Sequence, residues 1–117
     1  MPLPRKRKYI LWFREISVTD TPLVGGKNSS LGEMFRRLSS SGVLVPDGFA
    51  VTAHAYRIFL TRARLTAQIA KLIRGVDGKN IRKLQEAGKM VRRLIVDASL
   101  PPDLEKEIRS AYRKLSK

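Results

Sequence analysis

Apolar residues recur at helical spacing along most of the chain, and only two short runs interrupt that rhythm with β-forming residues. This patterning decides the fold class. Leu31, Met34, Phe35 and Leu38 fall at i, i+3, i+4 and i+7, one face of a helix that Asn28, Ser29 or Ser30 can cap and that Gly42 follows. Ala55, Tyr56, Phe59 and Leu60 form a second face after a capping Thr52, and a third helix over 65–73 turns Ile69, Leu72 and Ile73 inward. A turn at 75–78 precedes a fourth, capped by Asn80 and carrying Ile81, Leu84, Val91, Leu94, Ile95 and Ala98. In the fifth, Pro102 suits the first turn, Asp103 and Glu105 suit the positive end, and Leu104, Ile108, Ala111, Tyr112 and Leu115 face inward. The β-formers cluster at 9–13 and, after the turn residues Pro46, Asp47 and Gly48, at 49–51. The expectation is an α+β fold, mostly helical, with about five helices and two short strands, on a chain whose 117 residues suffice for one small core.

Composition removes several function classes. There is no cysteine, hence no disulfide, thiolate metal site or cysteine nucleophile, which suits the cytoplasm. No apolar run approaches the roughly 20 residues of a membrane span, so no membrane partner is expected. The apolar stretch at 9–13 is too short for a signal peptide, and residues 1–8 read as a basic, disordered leader. Twenty-four basic residues against 10 acidic ones give a formal charge of +14, which points to an anionic partner: RNA, DNA, anionic lipid or a nucleotide. Beyond Arg5, Lys6, Arg7 and Lys8 the cations are scattered over several helices rather than gathered in one stripe. A nucleic-acid partner is therefore disfavoured.

The candidate site is the run Gly25-Gly26-Lys27 between a strand and a helix start. Glycines let backbone approach a ligand, the first turn of a helix offers free N–H groups, and lysine supplies a mobile cation. The phosphate-loop pattern fails twice: Thr21 replaces its first glycine and Asn28 follows the lysine in place of Ser or Thr. On these residues alone a plain turn with an exposed lysine competes with a phosphate cradle, and is the commoner outcome. Elsewhere the chemistry is thin. His54 reads as a surface or capping residue, and Ser39, Ser40 and Ser41 have no base at useful spacing. Trp12 and Phe13 could stack on bases but suit a core strand better. No catalytic or metal-ligating residue is assigned.

Residues 10–60 resemble the start of the nucleotide-binding domain of the phosphoenolpyruvate synthase and pyruvate phosphate dikinase family. The resemblance rests on Leu11-Trp12, on Val24-Gly25-Gly26-Lys27-Asn28 running into Leu31-Gly32-Glu33-Met34, and on Val45-Pro46-Asp47-Gly48-Phe49-Ala50 before Thr52. The remainder follows more loosely but in order. It implies an ATP-grasp-like domain in which Lys27, with Gly25 and Gly26, meets the ATP phosphates. It implies an enzyme that phosphorylates a histidine on a separate domain with ATP, releases AMP and phosphate, and passes the phosphoryl group to pyruvate in a magnesium-dependent barrel. Residues 9–117 would then be the N-terminal portion of that ATP-binding domain, with the rest of the enzyme chain as partner. The family's second phosphate-binding residue, an arginine, follows the helix that ends near Leu115, and its magnesium ligands lie later still. The 117 residues alone are thus expected to be inactive and at best weak for nucleotide. Leu31-Gly32-Glu33-Met34 with the Leu-Trp start favours the synthase branch over a pyruvate phosphate dikinase-like or antibiotic phosphotransferase. A stand-alone nucleic-acid module is a further alternative, supported by charge alone.

Overall fold

Residues 3–117 are described in a computed structural model. They form two compact units: the residues up to Arg57 together with Pro102–Lys117, and Ile58–Pro101.

In the first unit, β1 (Ile10–Trp12) pairs antiparallel with β2 (Phe49–Val51), Leu11 opposite Ala50 and Trp12 opposite Phe49. The Phe13 N–H donates to Gly48 O at 3.0 Å and the Thr52 N–H to Tyr9 O at 2.9 Å, which carries the pairing one residue past each strand end. Successive side chains on a strand alternate between faces. Leu11 and Ala50 accordingly point inward to Ile16 and Val24, with Phe13 and Leu23 packed around them. Trp12 and Phe49 meet with ring centroids 5.4 Å apart, and the Arg14 guanidinium lies over Trp12. Full burial of Leu11, Ile16 and Leu104 contributes about 1.5–3 kcal/mol each.

α1 (Thr21–Val24) and α2 (Gly26–Ser40) lie between the strands, and α3 (Ala53–Arg62) follows β2. Thr52 caps α3, its Oγ1 accepting the Ala55 N–H at 3.1 Å while donating to Lys8 O at 2.6 Å. In the second unit, α4 (Leu65–Ile73) packs on α5 (Ile81–Asp97), and Asn80 caps α5 through the Lys83 N–H. α6 (Pro102–Leu115) returns to the first unit, lies against β1 and buries Leu104 and Ala111. Among the described residues no helix is long and apolar enough to cross a membrane.

The fold is α+β and mostly helical, with six helices among the described residues rather than about five and a two-stranded sheet. The sixth is the four-residue α1, in a stretch expected to be loop. Side chains hold that stretch. The Trp12 N–H donates to Glu15 Oε2 and the Ser17 N–H to Asp20 Oδ2, closing 3₁₀ turns at Phe13–Glu15 and Val18–Asp20. The apolar face expected on α2 is only partly inward, since Met34 and Leu38 are exposed. Its buried positions are Ser29 and Gly32, because small side chains let α2 approach the turns at 13–20 more closely than leucine or methionine would. Tyr112 and Leu115 on α6, and Ile73 on α4, are likewise exposed rather than inward. Of the basic leader, residues 1 and 2 lie outside the described residues; Arg5–Arg7 form a 3₁₀ turn where disorder was expected. The physical reason is Asp20, a buried carboxylate that requires a cation, and Arg5 supplies one at 2.6 Å.

Candidate functional site

Gly25 separates α1 from α2. Its φ of 85° and ψ of 162° lie where only glycine is at ease, and a side-chain residue there would favour a different path. The Gly25 N–H closes α1 onto Thr21 O at 2.8 Å, and Gly25 O accepts the Ser29 N–H at 3.0 Å as the first bond of α2. Between those two bonds, the N–H groups of Gly26, Lys27 and Asn28 donate to no described acceptor. They are the open end of α2, which begins at Gly26 rather than at Ser29. A β-carbon on Gly25 or Gly26 would meet nothing within 4 Å, so neither glycine is packed against another part of the protein.

Lys27 stands in this first turn, exposed and without an ion pair among the described residues. The turn carries no acidic residue. A cation beside the positive end of a helix is electrostatically unfavourable, and an anion would satisfy both the amides and the lysine. The structure thus brings Gly25, Gly26 and Lys27 together in one arrangement suited to a phosphate or carboxylate.

Side-chain hydrogen bonds fasten the turn on both sides. Asn28 Nδ2 donates to Val24 O at 2.9 Å, spanning the glycine pair. The buried Ser29 hydroxyl donates to Gly26 O at 2.9 Å and lies 3.0 Å from Thr21 Oγ1. Further along α2, Gly32 rests on Ile16, and Arg36 Nη1 donates to Ile16 O at 3.3 Å. Burial pushes the Asp20 carboxyl up, but the Ser17 amide, the Arg5 guanidinium and the charge of Arg36 outweigh it and hold the group below the usual 3.8.

The other sequence candidates go elsewhere. His54 stacks on Tyr9 with centroids 5.9 Å apart, a packing role. Ser40 and Ser41 turn back onto Arg37 O at the end of α2. No three His, Asp or Glu side chains among the described residues stand together as metal ligands. The Asn28 clasp and the Arg5–Asp20 pair were missed from sequence. An Asn after a Gly-Gly-Lys was the available signal for the first; nothing local marks the second, whose partners are 15 residues apart.

Residues 21–117 match the family described as pyruvate phosphate dikinase, AMP/ATP-binding domain. The phosphoenolpyruvate synthase of Aquifex aeolicus is 43% identical over 116 residues, covering 99% of this chain and 14% of that protein. That of Synechocystis is 48% identical over 103 residues (88% of this chain, 13% of the relative). That of Escherichia coli is 42% identical over 107 residues (92% and 14%). The chain is homologous to the N-terminal part of these proteins and spans 13–14% of their length.

Proposed function

We propose, for a chain that belongs to the pyruvate phosphate dikinase AMP/ATP-binding domain family, that the start of α2 is one corner of an ATP phosphate site. Lys27 and the amides that follow Gly25 hold phosphate oxygens there. The observation that carries this reading is the juxtaposition of three unpartnered amides with an unpaired lysine in one helical turn. The amides provide fixed dipoles and Lys27 a mobile charge, together offsetting negative charge as a phosphoryl group moves.

The reaction is that of a phosphoenolpyruvate synthase, the name carried by the relatives. ATP, pyruvate and water become AMP, phosphoenolpyruvate and phosphate through a phosphohistidine on another part of a longer enzyme. These residues contribute binding and orientation. They do not fit a magnesium site, since no three carboxylate or imidazole groups converge among the described residues. The 117 residues alone bind ATP weakly and do not form phosphoenolpyruvate.

The test is Lys27→Ala in the longer enzyme. Phosphoenolpyruvate formation should fall by at least about a hundredfold, the scale for one charge-stabilising donor, with folding unchanged. Unaltered ATP consumption would remove Lys27 from the site.

A further inference from the structure

In a helix running unbroken through residue 25, the backbone N–H of Asn28 would bond the Val24 carbonyl, four residues back. The turn at Gly25 prevents this, and the Asn28 side chain takes that carbonyl instead, Nδ2 donating to Val24 O at 2.9 Å. Val24 is buried in the core with Leu11, Ile16 and Ala50. Its carbonyl therefore needs a partner close at hand.

We propose that Asn28 is a positioning residue: its carboxamide holds the Val24 carbonyl in place of its own backbone N–H and so keeps the amides of Gly26, Lys27 and Asn28 open toward one phosphate group. This rests on the preceding reading of the α2 start and adds to it a residue outside the set Gly25, Gly26 and Lys27. Without the carboxamide, the cheapest way to satisfy Val24 O is to straighten the turn and bond amide 28 to it, which withdraws one of three donors. An aspartate would be worse than alanine, because it offers no proton to Val24 O and sets a negative charge beside the amides.

The experiment follows the backbone amides of the nitrogen-15-labelled 117-residue chain by NMR, free and with ATP, in wild type, Asn28→Ala and Asn28→Gln. In the free wild type, amide 28 should exchange with solvent as an unbonded amide does, and ATP should shift amides 26–28. Asn28→Ala should weaken ATP binding about tenfold, the scale of one charge-assisted hydrogen bond, and should slow exchange at amide 28. The melting temperature should change little. Asn28→Gln, which keeps the donor on a longer arm, should recover part of the affinity. Protection of amide 28 in the free wild type would overturn the proposal without any variant. If wild type binds ATP through these amides and Asn28→Ala binds it equally well, the positioning role falls and the phosphate reading stands. If ATP shifts none of amides 26–28 in wild type, both fall.

Discussion

A β-carbon on Gly32 would stand 2.6 Å from the β-carbon of Ile16 and 2.8 Å from its carbonyl oxygen. One of those obstacles is backbone, so no change of rotamer makes room. Gly32→Ala must push α2 away from the turns at 13–20, on which it packs. The expected cost is about 1–3 kcal/mol, as for overpacking in a filled core, even though alanine is the better helix former. Chemical denaturation would measure it. Ile16→Ala removes the γ2 methyl at 2.7 Å but keeps the β-carbon and the carbonyl oxygen, so the double variant should recover only a small part of the Gly32→Ala cost. Full recovery in the double variant would place the misfit on the Ile16 side chain beyond its β-carbon rather than on the backbone.

Gly25 and Gly26 are adjacent, both open to solvent, and should respond oppositely to alanine. Nothing would touch a new methyl group at either position, so the difference is conformational alone. At Gly25 the φ of 85° with ψ of 162° is costly for any side chain, and Gly25→Ala should destabilise by about 1–3 kcal/mol. Gly26 is the first residue of α2 and has ordinary helical geometry. Gly26→Ala should leave stability unchanged or slightly raised, through the unfolded chain's lost freedom. Equal melting temperatures for the two variants would contradict the turn.

Asp20 makes stability depend on pH in a definite direction. Its carboxyl titrates lower in the folded chain than the ordinary 3.8. The unfolded chain therefore binds the proton first on acidification, and the stabilisation is fully present only above the unfolded value. It is lost as pH falls from about that value through the lower folded one. Asp20→Asn should be less stable than wild type at neutral pH, with the gap closing below the folded value. Arg5→Ala removes the guanidinium 2.6 Å from Asp20 and should narrow the window by raising the folded value. Urea midpoints from pH 2 to 7 would test both; a gap that widens in acid would reverse the sign.

Local signals were legible where one residue type does one job. The strand at Phe49–Val51, the cap at Thr52, the helix at Leu65–Ile73 and the cap at Asn80 follow from propensity, turn chemistry and spacing. The stretch from Phe13 to Val24 was not legible, because Glu15 and Asp20 build its turns with side chains that bond backbone, and such bonds leave no apolar period. The inner face of α2 misled for a different reason. Hydrophobicity points to Met34 and Leu38, whereas close approach selects the small Ser29 and Gly32. At the candidate site, the order glycine, glycine, lysine, helix was visible. The state of each amide was not, since it depends on where the chain turns at Gly25 and on which acceptor Asn28 takes.

Lys27 must be separated from the field of the whole chain. A formal charge of +14 draws any polyanion at low salt, and that attraction is screened within about 8 Å at physiological ionic strength. A lysine that contacts phosphate directly behaves otherwise, because its interaction is short-ranged and backed by the open amides beside it. In the 117-residue chain at about 150 mM salt, where charges more than about 8 Å apart are screened, Lys27→Ala should therefore weaken ATP binding about tenfold. Lys106→Ala removes the same charge from an exposed position on α6, and should change the affinity less than about twofold at that salt. Lys27→Arg should fall between them, since it keeps the charge but alters the reach and donor geometry. Calorimetric titration of the three variants separates the cases. Equal losses for Lys27→Ala and Lys106→Ala would assign ATP binding to net charge and take the start of α2 out of it.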